Sequence, residues 1–323
     1  MPGNLFLGPV AGYTDRAFRS ICVELGADFS YTELASSEAL TRGGAKTLKL
    51  LARADNEKAY AIQLFGSDPE VMYRAALLLA PFRPEAVDIN CGCPVPKVVK
   101  TGAGSALMRD PSRLGRIVEA VGRASREALG GVPVTVKIRS GWDADSVNYA
   151  EAGRIACEAG AAMVCLHPRT RAQGYGGRSD WSHIADLVSR LPVPVAGSGD
   201  LFIARDGVRM FRETGCAAIM FARGAQGNPF IFRQTRALLQ GREADEPSLK
   251  ERIETAFRHL DLLAFDMGEE AACREMRKAF CAYTKTSPGK TGMPGGAALR
   301  NRLVHAKTIA DYHIIIRESG ADL

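Results

Sequence analysis

Eight short, nearly continuous apolar runs recur before residue 240, most followed by a stretch with helical spacing. They fall at 5–9, 29–32, 60–65, 86–90, 134–138, 163–167, 193–197 and 218–221. Strands buried on both faces read as unbroken apolar runs, whereas half-exposed strands alternate. Helices are predicted over 15–25, 69–79, 112–129, 146–159, 180–189 and 201–214, with a shorter one within 33–51. This alternation predicts a (β/α)8 TIM barrel. An open doubly wound sheet would want a G-x-G-x-x-G turn after the first strand. The segment Gly8-Pro9-Val10-Ala11-Gly12 does not supply one.

After Gln240 the pattern changes. Residues 241–246 are polar and acidic, and from Ser248 the spacing is helical until a short strand-like run at 314–316. The expected division is therefore a barrel over 1–242 and a small all-helical C-terminal domain over 243–323. A Pro- and Gly-rich loop at 287–296 interrupts the latter. The longest aliphatic stretch, 75–80, is far shorter than the ~20 residues of a membrane span. The start, Met1-Pro2-Gly3-Asn4-Leu5, lacks a basic segment followed by an apolar one, so no secretory signal is visible. Eight cysteines in 323 residues are too sparse for a disulfide scaffold. Reduced thiols in a cytoplasmic protein are expected. A net charge of +6 favours an anionic partner.

In such a barrel the chemistry sits at the C-terminal ends of the strands. Polar and glycine residues appear there repeatedly: Gln63, Asn90-Cys91-Gly92-Cys93-Pro94, Lys137-Ile138-Arg139, His167-Pro168-Arg169-Thr170, Gly197-Ser198-Gly199-Asp200 and Ala222-Arg223-Gly224. The last two segments either are ordinary turns or let backbone N–H groups approach a phosphate-bearing cofactor. Lys137 suits the negative charge of a reduced flavin ring, and the amide of Gln63 suits its polar edge. His167 either orients a cofactor or is a satisfied core histidine. A zinc site is disfavoured, because the remaining cysteines form no second close pair. Strand periodicity does not choose between Cys91 and Cys93, which share a face. Gly92 permits a sharp turn and Pro94 stiffens the loop, which favours Cys93 as the thiol over the pocket. A thiol with a pKa near ~8.5 is mostly protonated at neutral pH and serves as a general acid as well as a nucleophile. No G-x-S-x-G elbow marks a serine hydrolase.

Between Arg274 and Lys307 stand eight basic residues and one acid, Glu275. This is either a solvated helix face or a phosphate-binding surface. Phe280 and Tyr283 lie inside it as core residues or stacking platforms.

Taken together these residues resemble the tRNA-dihydrouridine synthases, along almost the whole chain. The resemblance runs through Pro9-Val10-Ala11-Gly12-Tyr13-Thr14-Asp15, Gln63-Leu64-Phe65-Gly66, Asp88-Ile89-Asn90-Cys91-Gly92-Cys93-Pro94, Gly102-Ala103-Gly104-Ser105-Ala106-Leu107, Val136-Lys137-Ile138-Arg139, His167-Pro168-Arg169-Thr170 and Arg223-Gly224-Ala225-Gln226-Gly227-Asn228-Pro229. The tail, Met276-Arg277-Lys278 to Leu299-Arg300-Asn301-Arg302, resembles the bacterial B-type branch. Three departures stand out: Ser198 where Asn is more usual, Ala222 where Gly is, and Pro168 where Gly or Ala is common.

The resemblance implies an FMN-bearing barrel and a helical tRNA-binding domain. Cys93 is then the proton donor. Pro9, Val10 and Ala11 line the flavin, and Gln63, Lys137 and His167 meet its polar atoms. Ser198, Gly199, Asp200, Ala222 and Arg223 hold the ribityl chain and phosphate. Asn90 contacts the target uracil, and Arg277, Lys278, Arg300 and Arg302 face the tRNA. NADPH is the implied external reductant, no metal is expected, and a monomer is the default. Two alternatives remain open: a flavin barrel acting on a free pyrimidine, as with dihydroorotate, and a non-catalytic RNA-binding protein.

Overall fold

The computed structural model describes residues 4–285 and 295–320. Eight parallel strands form the barrel: β1 Leu5–Leu7, β2 Phe29–Tyr31, β3 Tyr60–Phe65, β4 Ala86–Cys91, β5 Val134–Gly141, β6 Met163–Thr170, β7 Val195–Ser198 and β8 Ala218–Phe221. Each pairs with the next, and β1 pairs with β8 through Leu5–Ile219, Phe6–Met220 and Leu7–Phe221, so the sheet closes on itself. A two-residue strand, Ala35–Ser36, adds to the end of β3.

Alternation along each strand makes two cores. Outward residues such as Leu5, Ile62, Val87, Val136, Leu166 and Ile219 pack under the surrounding helices. Inward residues form a second cluster of Phe6, Phe29, Tyr31, Ala61, Ala86, Met163, Cys165, Ala196, Ala218 and Met220. Large rings from β1 and β2 face small residues from other strands, which fills the tapering interior. Phe6 and Phe29 lie 5.5 Å apart, and Phe29 meets Tyr31 edge-on at 5.4 Å.

Local chemistry starts the helices. Asp15 caps the Arg16–Glu24 helix by accepting from Phe18 N. Asp68 and Asp110 do the same for helices opening on Pro69 and Pro111, where a missing N–H costs nothing. The expected elements shift at their ends. Strands β5 and β6 run three residues beyond 138 and 167, because Arg139 and Arg169 stay fully buried by bonding to loop carbonyls. Segment 33–51 holds two short helices, Ser37–Thr41 and Ala45–Leu50, and 231–239 adds an unforeseen one, Ile231–Leu239.

Four further helices follow: Leu249–Met267, Glu269–Tyr283, Gly296–Leu303 and Ile309–Glu318. The strand-like run at 314–316 lies inside the last of these. Thr308 and Asp311 form its capping box, and Tyr312, Ile315 and Ile316 form its buried stripe. Of the expected loop, 287–294 lie outside the described residues, Lys290 among them; Gly295 and Gly296 open a helix. These helices meet the barrel at defined points. Arg16 pairs with Asp266, and Arg258 pairs with Glu24. Buried Arg252 donates to the carbonyls of Gly227 and Tyr283. Phe280 and Tyr283 are both fully buried core residues.

Gly227 has φ +65° and abuts the Glu269–Tyr283 helix, where a Cβ would lie 2.3 Å from the Ala282 carbonyl carbon. A side chain there is both strained and overpacked. Gly227→Ala is expected to cost about 2–4 kcal/mol, measured by chemical denaturation.

Candidate active site

Toward the C-terminal ends of the strands the barrel interior turns polar, and its polar groups satisfy one another. Asp88, Gln63 and Asn90 point inward from β4 and β3 and are 0%, 0% and 6% exposed. Gln63 Nε2 donates to Asp88 Oδ2 at 2.7 Å, and Asn90 Nδ2 donates to Gln63 Oε1 at 2.8 Å. Asn90 Oδ1 accepts from the N–H groups of Gly92 at 3.1 Å and Cys93 at 2.9 Å. Thr135 donates to the other Asp88 oxygen. Burial pushes the Asp88 carboxyl up to about 6, against its hydrogen bonds and the charge of Lys137.

The two cysteines separate at this point. Cys91 ends β4 with its side chain fully buried among the outward core residues. Cys93 is half-buried in the following loop. That loop is held along its backbone by Asn90, by Arg139 Nε on the Gly92 carbonyl at 2.7 Å, and by Ser105 N and Oγ on the Cys93 carbonyl at 3.0 and 2.9 Å. Gly104, at φ +61°, brings this contact in; a Cβ there would lie 2.8 Å from the Cys93 oxygen. Burial raises the Cys93 pKa, and the Val95 backbone N–H, Arg139 and Lys137 only partly oppose it. The thiol is protonated at neutral pH.

A cavity of about 80 Å³ opens between the ends of β1, β5, β6, β7 and β8; Cys93 and Asn90 are not among the residues that line it. Pro9, Val10, Lys137, His167, Ser198, Gly199, Asp200, Ala222 and Arg223 all reach it. Two glycines shape the wall. At Gly199, φ +100°, a Cβ would sit 2.1 Å from Ser179 Oγ; at Gly224 it would sit 2.0 Å from the Leu201 oxygen. Asp200 adopts φ +54°, a left-handed conformation that Asp tolerates better than most residues. Its carboxylate accepts from Arg169 Nη2 and Ser179 N, both at 2.8 Å, and stands 3.5 Å from Arg223. Asp200 thus anchors two arginines.

The charge around the cavity is positive. Burial and the nearby charges of Lys137, Arg139, Arg169 and Arg223 hold His167 well below its ordinary pKa. Its Nε2 faces Arg169 Nη1 at 3.3 Å. A guanidinium only donates, so Nε2 accepts and the neutral ring carries its proton on Nδ1. Lys137 and Arg223 line the cavity, and Asp200 is its one carboxylate among the described residues. This arrangement suits an anion of phosphate size.

Other expected residues lie elsewhere. Ala11 is exposed, and Gln63 is enclosed in the Asp88–Asn90 network; neither lines the cavity. Arg277 bonds the Ala306 carbonyl, Arg302 pairs with Glu318, and Arg300 is half-buried. Lys278 is exposed, 2.9 Å from Glu275 and 5.1 Å over the Tyr13 ring. Lys278, Lys285, Arg252 and Arg223 line a cleft of about 280 Å³ with Tyr13 and Phe202, next to the cavity. Sequence reasoning gave no role to Asp88, Arg139, Arg169, Tyr175 or Phe202. The signal for Asp88 was a carboxylate inside an otherwise apolar run, since a buried polar residue is the informative exception. Tyr175 carries no such mark; the fold brings it 4.4 Å under the Arg223 guanidinium.

Comparisons with known proteins agree with this geometry. The family model described as dihydrouridine synthase (Dus) matches residues 6–319. The chain is similar to a probable tRNA-dihydrouridine synthase of Treponema pallidum (strain Nichols), 48% identical over 99% of this chain and 94% of that one. It is 36% identical to tRNA-dihydrouridine synthase B of Xanthomonas axonopodis pv. citri (strain 306), over 88% of this chain and 85% of that one. Among solved structures, the old yellow enzyme homologue from Zymomonas mobilis has the same fold, with TM-score 0.50 and 11% identity, covering 77% of this chain and 92% of that one.

Alkylation requires the thiolate, so Cys93 is expected to react slowly at neutral pH. Its rate should climb with a midpoint above the ~8.5 of a free thiol, and Cys91 should stay unmodified in the native protein. Peptide mapping after iodoacetamide treatment across a pH series measures both.

Proposed function

Because the chain belongs to the dihydrouridine synthase family, we propose that it reduces a uridine of tRNA to 5,6-dihydrouridine, with FMN as bound cofactor and NADPH as external reductant. The donor set fits FMN. Arg223 beside Gly199 and Gly224 offers positive charge and a close wall for its phosphate. Pro9 and Val10 would lie along the ring, with Lys137 and the Nδ1–H of neutral His167 toward its polar atoms. FMN bound there supplies the hydride that adds to C6 of the uracil.

The chain's own residues do the rest. A uridine stacked in folded RNA does not expose its C5–C6 bond, so the base must leave its stack to enter the barrel mouth. Asn90 would meet it with the Nδ2 hydrogen that Gln63 leaves free. Hydride addition places enolate charge over C5, C4 and O4, and the Cys93 Sγ–H gives its proton to C5. The thiolate left behind recovers a proton from solvent. Lys137 and Arg139, whose charges reach Cys93, stabilise it meanwhile.

The helical segment 243–323 is the tRNA-binding part in this reading. Lys278 would face the RNA backbone, Arg277, Arg300 and Arg302 would add positive charge from the same helices, and the cleft lined by Lys278, Lys285 and Arg252 supports a strand running toward the barrel mouth. No helix among the described residues is long and apolar enough to cross a membrane. In this reading the protein acts on tRNA as a monomer in the cytoplasm, where its eight free cysteines would stay reduced.

The observation that carries this reading is a protonated, half-buried Cys93 in the loop after β4, within reach of the charge of Lys137, which lines a cationic cavity. Purified protein should be yellow and release FMN. Cys93→Ala should still be bleached by NADPH, while dihydrouridine formation on unmodified tRNA falls by about 10²–10⁴-fold, the usual worth of a positioned acid. Undiminished formation would refute the role of Cys93. Equal activity on free uridine would overturn tRNA as the substrate, and a colourless protein that takes up no FMN would overturn the whole reading.

A further inference from the structure

The mechanism above makes no use of Asp88, a carboxylate sealed inside the barrel. Its hydrogen bonds form a chain with a direction. At one end, the backbone N–H groups of Gly92 and Cys93 can only donate, so Asn90 must present Oδ1 to them. Asn90 therefore has only its Nδ2 to offer Gln63, and Gln63 must receive it on Oε1. That leaves Gln63 Nε2 pointing at Asp88, which when ionised can only accept. Both ends of the chain are fixed by groups with one possible role, and each amide between them has one allowed orientation. Thr135 completes the shell by donating to the remaining Asp88 oxygen.

We infer that Asp88 is a positioning residue for Cys93: it orients Gln63, which orients Asn90, which fixes the backbone carrying the thiol. The inference rests on the reading of Cys93 as proton donor, and it explains why that reading needs a carboxylate the substrate never meets. Asn90 then has two tasks, since the side chain proposed to meet the uracil also holds the loop.

Lys137 on β5, Tyr31 from β2 and Cys165 from β6 face Asp88, and Cys91, turned outward on the same strand, is within range of its charge. Tyr31, Cys91 and Cys165 all have their pKa values raised by burial, so Asp88 and Lys137 are the charges in this group. The Asp88 carboxyl, pushed up to about 6, is protonated as pH falls through that value. Protonation weakens the charge-assisted bond to Gln63 and adds a competing donor.

Hydrogen exchange of the Gly92 and Cys93 amides in the FMN-loaded protein tests this without substrate or turnover. Asp88→Leu, which keeps the volume and removes the acceptor, should lower their protection by about tenfold or more, the factor equivalent to ~1.4 kcal/mol. The swap Asp88→Asn with Gln63→Glu moves the carboxylate one link along. The carboxylate now at position 63 would accept from both neighbouring amides, so Asn90 keeps its orientation and protection should return. Protection unchanged in Asp88→Leu, or no better in the swap, overturns the proposal. If Asp88→Leu does not fold, the native protein still decides. Protection of these two amides, corrected for intrinsic exchange, should fall as pH drops through about 6. A flat profile between roughly pH 5 and 8 overturns it. In the swap, recovery of proton transfer from Cys93 to tRNA should accompany recovery of the amides. Amides that behave as stated in a protein that makes no dihydrouridine would sink the proposed function and leave the relay standing.

Discussion

A ring of eight parallel strands has no free edge and very little room inside. Each inward side chain shares that space with those of its neighbours. Apolar residues fill the lower part by matching large to small. The upper part cannot be filled that way, because it must stay open to a ligand. Its polar groups therefore have to satisfy one another, since an unpaired polar group in such a place costs about 1–3 kcal/mol. The Asp88–Gln63–Asn90 network meets that requirement, and in meeting it sets the backbone on which Cys93 stands.

The loops above the barrel are tied by the same economy of partners. Arg139 reaches from β5 to the carbonyls of Gly92, Thr170 and Gly174, so one buried guanidinium joins the loops after β4 and β6. Arg169 joins the loops after β6 and β7 through Gly176, Gly177 and Asp200. Arginine suits both places because its planar fork of donors serves several acceptors and its charge is not given up on burial. Concentrating these cations at one end creates a positive field. Burial first, and that field after it, hold His167 well below its ordinary pKa, which leaves a neutral ring with its proton on Nδ1.

The C-terminal helices pack against the loop after β1, whose Pro9 and Val10 line the cavity. Gly12, at φ +71°, lies in the loop after β1; its N–H donates to Glu33 and its α-carbon side faces Lys278. Lys278 in turn stands over Tyr13. On the other side of the same loop, Asp15 approaches His259 at 3.6 Å, and His259 stacks on Phe18 at 5.4 Å. The first strand-to-helix loop is thus packed between the barrel and the helices, where its backbone has few alternatives.

Much of this was legible in the sequence. Unbroken apolar runs alternating with amphipathic stretches point to parallel strands buried on both faces, and eight of them without a dinucleotide turn point to a closed barrel. The ends of those runs mark the mouth, and residues from five of them do converge on one cavity. The Asn-Cys-Gly-Cys-Pro turn was visible as a site, but strand periodicity placed both thiols on one face. Gly92 and Pro94 already favoured Cys93, and the fold adds the reason: β4 ends at Cys91 and seats it in the outer core, whereas Cys93 lies half-buried in the turn that follows. Gln63 and Asp88 also needed coordinates, because their work depends on which neighbour lies across the barrel, a relation between strands distant in the chain. Sequence order determines which residues face inward, since alternation is a local property of the backbone. Tertiary closure determines which of those meet, since that depends on register between strands that local forces do not set.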